Sequence, residues 1–456
     1  MEWRVTIELS CADGTKQTHG VADPHSTLDP LGLTLDDGKA LLAGVQRHLV
    51  QARVSKYCAV RRRCPRCRHL RALKDTRTRR LNSLFGTVEV PAPRFKPCPC
   101  AVTARSTLCP ASELMPDRCT PAYERTLAKL GVWVPYRRTR QFLSEFFPLG
   151  DDLPWPETIR RRTMRVGAGF ERESLSRAKT PQVVLPLDTM TVSIDAGHVR
   201  TARGHQGRTF EVMTAQVSND DGMPVLFSGV PGEPDQQHTQ LNGVLSGLGM
   251  TVDTEVTILS GGADGPRSLG KAASTGTVFH VPDWFHLAMR VQHAAQCAGG
   301  WPNATVRARR DGARFADAIE HIRWRLWHGQ SVRALRLIQR TLAAAEAKAA
   351  GKTAAARSAA KLAKALIALE TYVSGLADLI IDYASARLDD EPFSTSPTED
   401  AMQWLLHRRM GAQQQMRWSP RGAHLMLQVR TASINGTLEA DHGSMSLRRR
   451  SSRLAA

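Results

Sequence analysis

A block of strand-like segments between residues 180 and about 287 constrains the fold of this chain most strongly. Short runs rich in β-branched residues, such as 256–259 and 278–281, recur there between turn residues. Helical periodicity precedes the block and resumes over 288–395, where aliphatic residues form long stripes. Short strands and helices in mixed order predict a mixed α/β layer, into which the later helices are inserted.

Length and charge narrow the class of protein. A chain of 456 residues exceeds one typical core, so two to four domains are expected. The net charge of +19 and the pI of about 10.1 predict a polyanionic partner, of which nucleic acid is the commonest. A charge balance tuned only for solubility rarely needs such an excess of one sign.

The sequence contains no apolar run long enough to span a bilayer, and its first residues lack the apolar region of a signal peptide. We therefore expect a cytoplasmic, nucleoid-associated protein with no membrane partner and no small-molecule substrate. In a reducing compartment, closely spaced cysteines are metal ligands more often than disulfides.

Two cysteine pairs predict a structural zinc site in a basic module. Cys64 and Cys67 form a C-x-x-C pair, and Cys98 and Cys100 follow a predicted hairpin. Four thiolates complete a tetrahedral zinc site without an open position. Reduced cysteines without metal are the alternative, and the possible substitute ligands are Cys58, Cys109 and Cys119.

Positive charge is densest around these cysteines. Twelve Lys or Arg residues lie between positions 51 and 80, opposed only by Asp75, and Pro91 and Pro93 confine the following strand to a sheet edge. Residues 123–134, 137–147 and 157–167 then read as short helices with basic runs. They fit a helix-turn-helix array or an ordinary helical domain with an Arg-rich solvated face.

Three acidic residues far apart in the sequence are candidate metal ligands. Asp195 closes the strand-like run 192–194, with a loop expected from Gly197; Asp264 lies in a second loop; Glu399 opens a helix-like segment. Two Mg²⁺ or Mn²⁺ ions held by such carboxylates activate a nucleophile for phosphodiester cleavage. Taken singly, each residue is explained equally well as a turn or cap residue.

The run 283–286 places Asp283 and His286 on one helical face. This pair could support a metal site or the scissile phosphate, or Asp283 could be an N-cap beside a partly buried histidine. Trp284 and Phe285 could belong to the core or stack on an unpaired base.

Three stretches resemble motif blocks of bacterial insertion-sequence transposases of the Kra type, which are relatives of Mutator-like transposases. SIDAGHVR (193–200) resembles the first acidic block, and DWFHLAMR (283–290) the Asp/Cys-x-x-His block. Glu399, with RRM (408–410), QQMRW (414–418) and RGAH (421–424), resembles the final block. The cysteine pairs fit the family's DNA-binding region less sharply, and the resemblance extends from about residue 50 onward.

The resemblance implies an RNase H-like core with a helical insertion, and Mg²⁺-dependent cutting at terminal inverted repeats with joining to target DNA. It makes Asp195 and Glu399 the first and third catalytic acids. Where the family has Ser-Asp-Gly, this chain has Ser260-Gly261-Gly262. Either Asp264 serves from a shifted loop, which we predict, or Asp283 serves, or the copy has lost an acid.

We therefore predict a DNA transposase that acts as a homodimer or larger assembly on element ends and target DNA. The alternatives are an impaired copy that only binds DNA, and another RNase H-like nuclease. The expected DNA contacts are Arg61, Arg62, Arg63, Arg66, Arg137, Arg138, Arg160, Arg161, Arg417 and Trp418.

The expected domain organisation follows these motifs. It comprises an N-terminal segment (1–50), a zinc-ribbon-like module (51–110), a helical DNA-binding domain (111–178), the core (179–287), its helical insertion (288–395), the final core helix (396–440) and a basic tail (441–456).

Overall fold

The structure, a computed structural model, describes residues 5–10, 16–22, 33–100, 107–180, 184–218, 224–232, 234–302, 305–395, 403–411 and 416–445. The chain forms two compact units. One comprises Met1–Glu171 with Gln428–Ala456, and the other comprises Arg172–Leu427. The predicted basic tail lies outside the described residues from 446 onward.

The first unit begins with two hairpins joined by a long helix. The elements are β1 (Val5–Ser10), β2 (Lys16–Ala22), α1 (Leu35–Arg62), β3 (Leu73–Ser83) and β4 (Gly86–Phe95). Val54 and Cys58 of α1 pack with Val88 and Val90 of β4. Because α1 crosses the boundary that we predicted at residue 50, the helix belongs to both of the expected segments.

Short helices complete the first unit: α2 (Pro110–Leu114), α3 (Pro121–Trp133), α4 (Tyr136–Phe146) and α5 (Pro156–Ala178), of which the last extends into the second unit. All three predicted helices are present. Their core contains Tyr123, Leu127, Leu143 and Ile159. The buried guanidinium of Arg430, near the C-terminus, donates a hydrogen bond to the carbonyl oxygen of Val132 in the same unit.

The second unit contains a five-stranded mixed sheet. Its strands are β5 (Thr189–Arg200), β6 (Thr209–Ser218), β7 (Val225–Gly229), β8 (Glu255–Ser260) and β9 (Thr277–Pro282). They lie in the order β7-β6-β5-β8-β9. The first three strands are antiparallel, whereas β8 and β9 run parallel to β5. The predicted mixed α/β class is confirmed.

Two details of the sheet differ from the sequence-based expectation. The strand predicted at 183–185 is absent for residues 184 and 185, whereas residue 183 is not described. β5 does not end at Asp195, because it continues to Arg200 and pairs with β6 from Thr191 to Arg200. The glycine at 197, expected to start a loop, is paired opposite Val212.

Helices cover the sheet and form a separate bundle. α6 (Pro234–Gly247) and α7 (Asp264–Ala273) contribute Leu241, Leu245 and Leu269 to the core that contains Val192 and Ile194 of β5. The predicted insertion consists of α8 (Trp284–Gly299), α9 (Val306–Trp327), α10 (Ser331–Ala349), α11 (Ala354–Gly375) and α12 (Tyr383–Leu388). Its helices share one apolar core.

The chain then returns to the sheet. A helical segment over 403–410 precedes α13 (Pro420–Ile434), which begins in the second unit and ends in the first. Between them, the backbone N–H of Trp418 donates to the carbonyl of Arg200, and the N–H of Ala202 donates to the carbonyl of Trp418. Within the part of the chain that the structure describes, no helix is long and apolar enough to cross a membrane.

Candidate functional site

The four predicted zinc ligands lie together. The sulfur atoms of Cys64, Cys67, Cys98 and Cys100 are all within 4.8 Å of one another. The separation is 3.6 Å between Cys64 and Cys100 and 3.3 Å between Cys67 and Cys98. A tetrahedral zinc site with bonds of about 2.3 Å needs sulfur atoms about 3.8 Å apart. The donor chemistry and the spacing therefore fit zinc.

Local backbone structure positions these thiols. The N–H of Arg68 donates to the carbonyl of Cys64, and Arg68 has a positive φ of 59°, so the chain turns tightly around the first pair. The β3–β4 hairpin carries the second pair back to this turn. Backbone N–H groups of Cys67 and Arg66 lower the pKa of Cys64 to about 6, which favours its thiolate.

The substitute ligands are not part of this cluster. Burial raises the pKa of Cys58 to about 11, and its side chain packs against the hairpin core. Burial likewise raises the pKa of Cys119 to about 11, and that thiol accepts a hydrogen bond from Arg162. Cys109 accepts one from Ser112. Among the described residues, the four-cysteine cluster is the sole group of three or more potential metal ligands.

Asp195 lies in the central strand of the five-stranded sheet. Its side chain is 16% exposed, and its Oδ1 accepts a hydrogen bond of 2.7 Å from the N–H of Ala196. On the neighbouring strand, β8 ends at Ser260, and Gly261 and Gly262 follow. Gly262 has a φ of +78°, and a side chain there would collide with Leu376. The turn after β8 therefore requires glycine at 262.

Asp283 is a fully buried N-cap of α8. Its Oδ1 accepts from the backbone N–H groups of Phe285 and Thr395, and its Oδ2 from the N–H of His286 and the hydroxyl of Thr395. Burial alone would raise the pKa of Asp283, but hydrogen bonds from His286 and Thr395 hold this pKa below its usual value. With both oxygens engaged, Asp283 is suited to positioning and has little capacity left for a metal.

His286 joins Asp283 to Asp195. Its Nδ1 lies 2.5 Å from Oδ2 of Asp283, and its Nε2 lies 3.9 Å from Oδ1 of Asp195. A Cβ atom placed on Gly261 would lie 3.1 Å from Cγ of the same imidazole. The ring therefore packs against the end of β8 at Gly261.

The remaining two predicted acids are not brought into this group by the described structure. Asp264 is the exposed first residue of α7. The neighbouring Gly265 faces Met213 and Glu211 of β6. Glu399 lies outside the described residues, although Thr395, four positions earlier, is buried and bonded to Asp283.

The aromatic residues of the 283–286 run have different environments. Trp284 packs edge-on against Trp327, with ring centroids 4.7 Å apart, and it also contacts Tyr383. This placement favours the core interpretation for Trp284. Phe285 lies edge-on to the ring of His286.

The predicted DNA contacts divide into exposed and internally paired side chains. Arg61 forms a bidentate pair with Glu113, and Trp418 is buried beside Arg409. Neither placement supports direct contact with DNA. Arg160 and Arg161 are exposed but approach Glu157. The other predicted contacts are exposed: Arg62, Arg63, Arg66, Arg137, Arg138 and Arg417.

Sequence reasoning missed two contributors to the site. Thr395 carries no motif, and its role appears only through its bonds to Asp283, 112 positions away. Tyr372 of α11 donates a hydrogen bond of 3.1 Å to the carbonyl of Gly261. The sequence around Tyr372 gave no indication of this contact.

Comparisons with known proteins add one structural likeness. No family model and no curated protein matches this chain. Among solved structures, the chain is similar to the Drosophila P element transposase strand transfer complex, with a TM-score of 0.33 and 12% identity. The alignment covers 70% of this chain and 93% of that one.

Proposed function

We propose that this protein is a DDE-type DNA transposase that cuts the ends of an insertion sequence and joins them to target DNA. The observation that carries the proposal is the position of Asp195. It lies in the central strand of a sheet ordered β7-β6-β5-β8-β9, beside the ends of two parallel strands. This strand order is the one expected of an RNase H-like core, in which Asp195 would serve as the first acid.

The proposed metal ligands are Asp195, Asp264 and Glu399. Mg²⁺ or Mn²⁺ bound there would supply activation of the attacking oxygen and stabilisation of the leaving oxygen. Asp283 positions the ring of His286 by accepting a hydrogen bond from Nδ1 of that ring. Asp283 also holds Thr395 at the start of the segment that leads to Glu399. Four extended residues span at most about 14 Å, so the segment from Thr395 to Glu399 can reach no further than this.

The first unit carries the proposed DNA-binding surface. Zinc bound by the four cysteines would stiffen the β3–β4 hairpin, whose surroundings carry the exposed side chains of Arg62, Arg63 and Arg66. Exposed arginines that reach phosphates release counterions, so binding should weaken steeply with salt. Because two ends must be paired, we expect a homodimer or a larger assembly on DNA.

Strand cleavage tests the proposal. The substrate is a DNA fragment that carries the sequences flanking the gene, tested for inverted repeats beforehand and incubated with Mg²⁺ and a labelled target. We expect Asp195→Asn and Glu399→Gln each to lower cleavage at least a thousandfold while end binding persists. Asp253→Asn, which changes an exposed acid in the turn before β8, is the matched control and should cleave normally. Full cleavage by either site variant would refute the assignment.

A second candidate, a copy that binds element ends without cutting them, is favoured by Gly261. This residue stands where the resembling family has an acid, and the imidazole of His286 fills the adjacent space. Salt-sensitive end binding without nicking, in both Mg²⁺ and Mn²⁺, would identify this case. Cleavage without strand joining would instead indicate another RNase H-like nuclease.

A further inference from the structure

We propose that His286 is itself a metal ligand, and that its Nε2 binds the ion together with Asp195, Asp264 and Glu399, from the side where Gly261 offers no carboxylate. This inference rests on the proposed function, because the metal is the one that serves cleavage. Residue 261 has no side chain that could bind a metal. Glycine follows β8 there, and the exposed Asp264 begins the next helix.

The imidazole of His286 lies beside the position of a side chain at 261. The ring Cγ lies 3.1 Å, and both Cδ2 and Nδ1 lie 3.2 Å, from the point where a Cβ of residue 261 would be. The ring therefore packs directly against the point where a side chain at 261 would begin. It reaches that point from α8, whose N-terminus follows β9 directly.

Asp283 fixes the orientation of the ring. A carboxylate that accepts a hydrogen bond from one imidazole nitrogen directs the other nitrogen toward a metal, and this pairing is common in metalloproteins. Asp283 accepts from Nδ1 at 2.5 Å and is itself fixed by Thr395. Because Asp283 is buried and fully engaged, it holds the ring rigidly. The Nε2 atom then faces Asp195.

The distance between Asp195 and His286 fits two ligands of one ion. Oδ1 of Asp195 and Nε2 of His286 are 3.9 Å apart, which is too long for a hydrogen bond. Two ligands that each lie about 2.1 Å from one ion are separated by roughly 3.0 Å at a right angle and about 4.2 Å when opposite. The observed separation falls between these limits, so a small shift of either side chain would let one ion bind both atoms.

The choice of metal follows from the donor set. Imidazole suits Mn²⁺ less than Zn²⁺ or Co²⁺, but it suits all three better than Mg²⁺, which prefers oxygen ligands. A site that uses His286 should therefore bind Mn²⁺ at least tenfold more tightly than Mg²⁺. A site built from carboxylates alone would discriminate less.

The experiment is pulsed electron paramagnetic resonance of Mn²⁺ bound to the full chain, with its cysteine cluster loaded with zinc beforehand. We expect modulation from one directly coordinated ¹⁴N nucleus in the unaltered protein. His286→Gln should remove this signal and weaken Mn²⁺ binding about tenfold or more. His293→Gln, an exposed histidine two turns further along α8, should change neither.

Several outcomes would overturn the inference. Bound Mn²⁺ without ¹⁴N modulation in the unaltered protein excludes coordination by His286, whatever the variant does. A ¹⁴N signal that survives in His286→Gln, with an unchanged melting temperature, assigns the nitrogen to another residue. The readout is independent of cleavage. Nitrogen coordination without cutting would refute the proposed function alone, and cutting without nitrogen coordination would refute this inference alone.

Discussion

The cysteine cluster and the Asp195 site show how differently two candidate metal sites are encoded. The four thiols lie between residues 64 and 100 and are brought together by one turn and one hairpin. The candidate acids come from separate elements, so the central sheet must form before any of them can meet. Ligands that are close in sequence can be predicted from spacing, whereas dispersed ligands require knowledge of topology.

Zinc removal should have the largest effect and would test the local site. Replacing Cys67 with Ser, or chelating zinc, removes a structural ion whose binding is worth on the order of 10 kcal/mol in small zinc domains. We expect rapid proteolysis within 64–100 and loss of DNA binding. Cys297→Ser, which alters a partly buried cysteine of α8, should leave both unchanged. Normal protease resistance after complete zinc removal would show that the hairpin folds without metal.

Substitution of Asp283 should have the next largest effect and tests the dispersed site. Asp283→Asn removes charge-assisted hydrogen bonds to Thr395 and to the first turn of α8, so we expect a loss of about 3 kcal/mol in unfolding free energy. Thr395→Val should cost less, about 1–2 kcal/mol. Denaturant titration of both variants measures the difference. An Asp283→Asn variant with an unchanged unfolding free energy would contradict the structural role of Asp283.

The dependence of the unfolding free energy on acid pH also tests the role of Asp283. The folded-state pKa of Asp283 lies below the unfolded value of about 3.9. The stability that its carboxylate contributes is therefore complete above about pH 4, and it is lost as the pH falls through the folded pKa. The unfolding free energy of Asp283→Asn should depend less on pH below 4 than that of the unaltered chain. Parallel acid curves for the two proteins would argue against this linkage.

Gly261→Asp should have a smaller effect that depends on His286. The added Cβ presses on the imidazole, and overpacking of this kind typically costs about 1–3 kcal/mol. Combining it with His286→Ala removes the ring, so the destabilisation of the double variant should be smaller than the sum of the two single changes. Thermal unfolding of the four proteins measures this coupling. Strict additivity would show that the two positions do not share space.

The smallest effect is expected for the exposed arginines. Arg137→Ala with Arg138→Ala should lower DNA affinity about tenfold and reduce the salt slope by about 2, while the melting temperature stays constant. Arg61→Ala should instead reduce stability, because Glu113 loses its bidentate partner. Equal loss of DNA affinity in both variants, with no loss of stability, would remove the distinction between paired and exposed arginines.

Much of the fold could be predicted because local patterns decide it. The β-branched run before Asp195 predicted a strand, and the cysteine spacing predicted the cluster. The extension of β5 through Gly197 could not be predicted, because glycine normally weakens a strand and only pairing with Val212 of β6 holds it there.

The candidate site was less accessible to sequence reasoning. Asp283 and His286 were identified as a pair, but their link to Thr395 spans the whole helical insertion. The pairing of Arg61 with Glu113 likewise connects residues 52 positions apart. Such contacts depend on tertiary structure, so residue type and spacing give no signal for them. The roles of Asp264 and Glu399 stay predictions.

The bonds at Asp283 also bear on how such a molecule can diversify. The insertion leaves the sheet at Trp284 and comes back at Phe393, where the N–H of the former donates to the carbonyl of the latter, and Thr395 then bonds to Asp283. These bonds hold the two ends of the insertion together at a single point of the sheet. The helices of the insertion can therefore change in length or sequence over generations while the sheet and its carboxylates keep their positions.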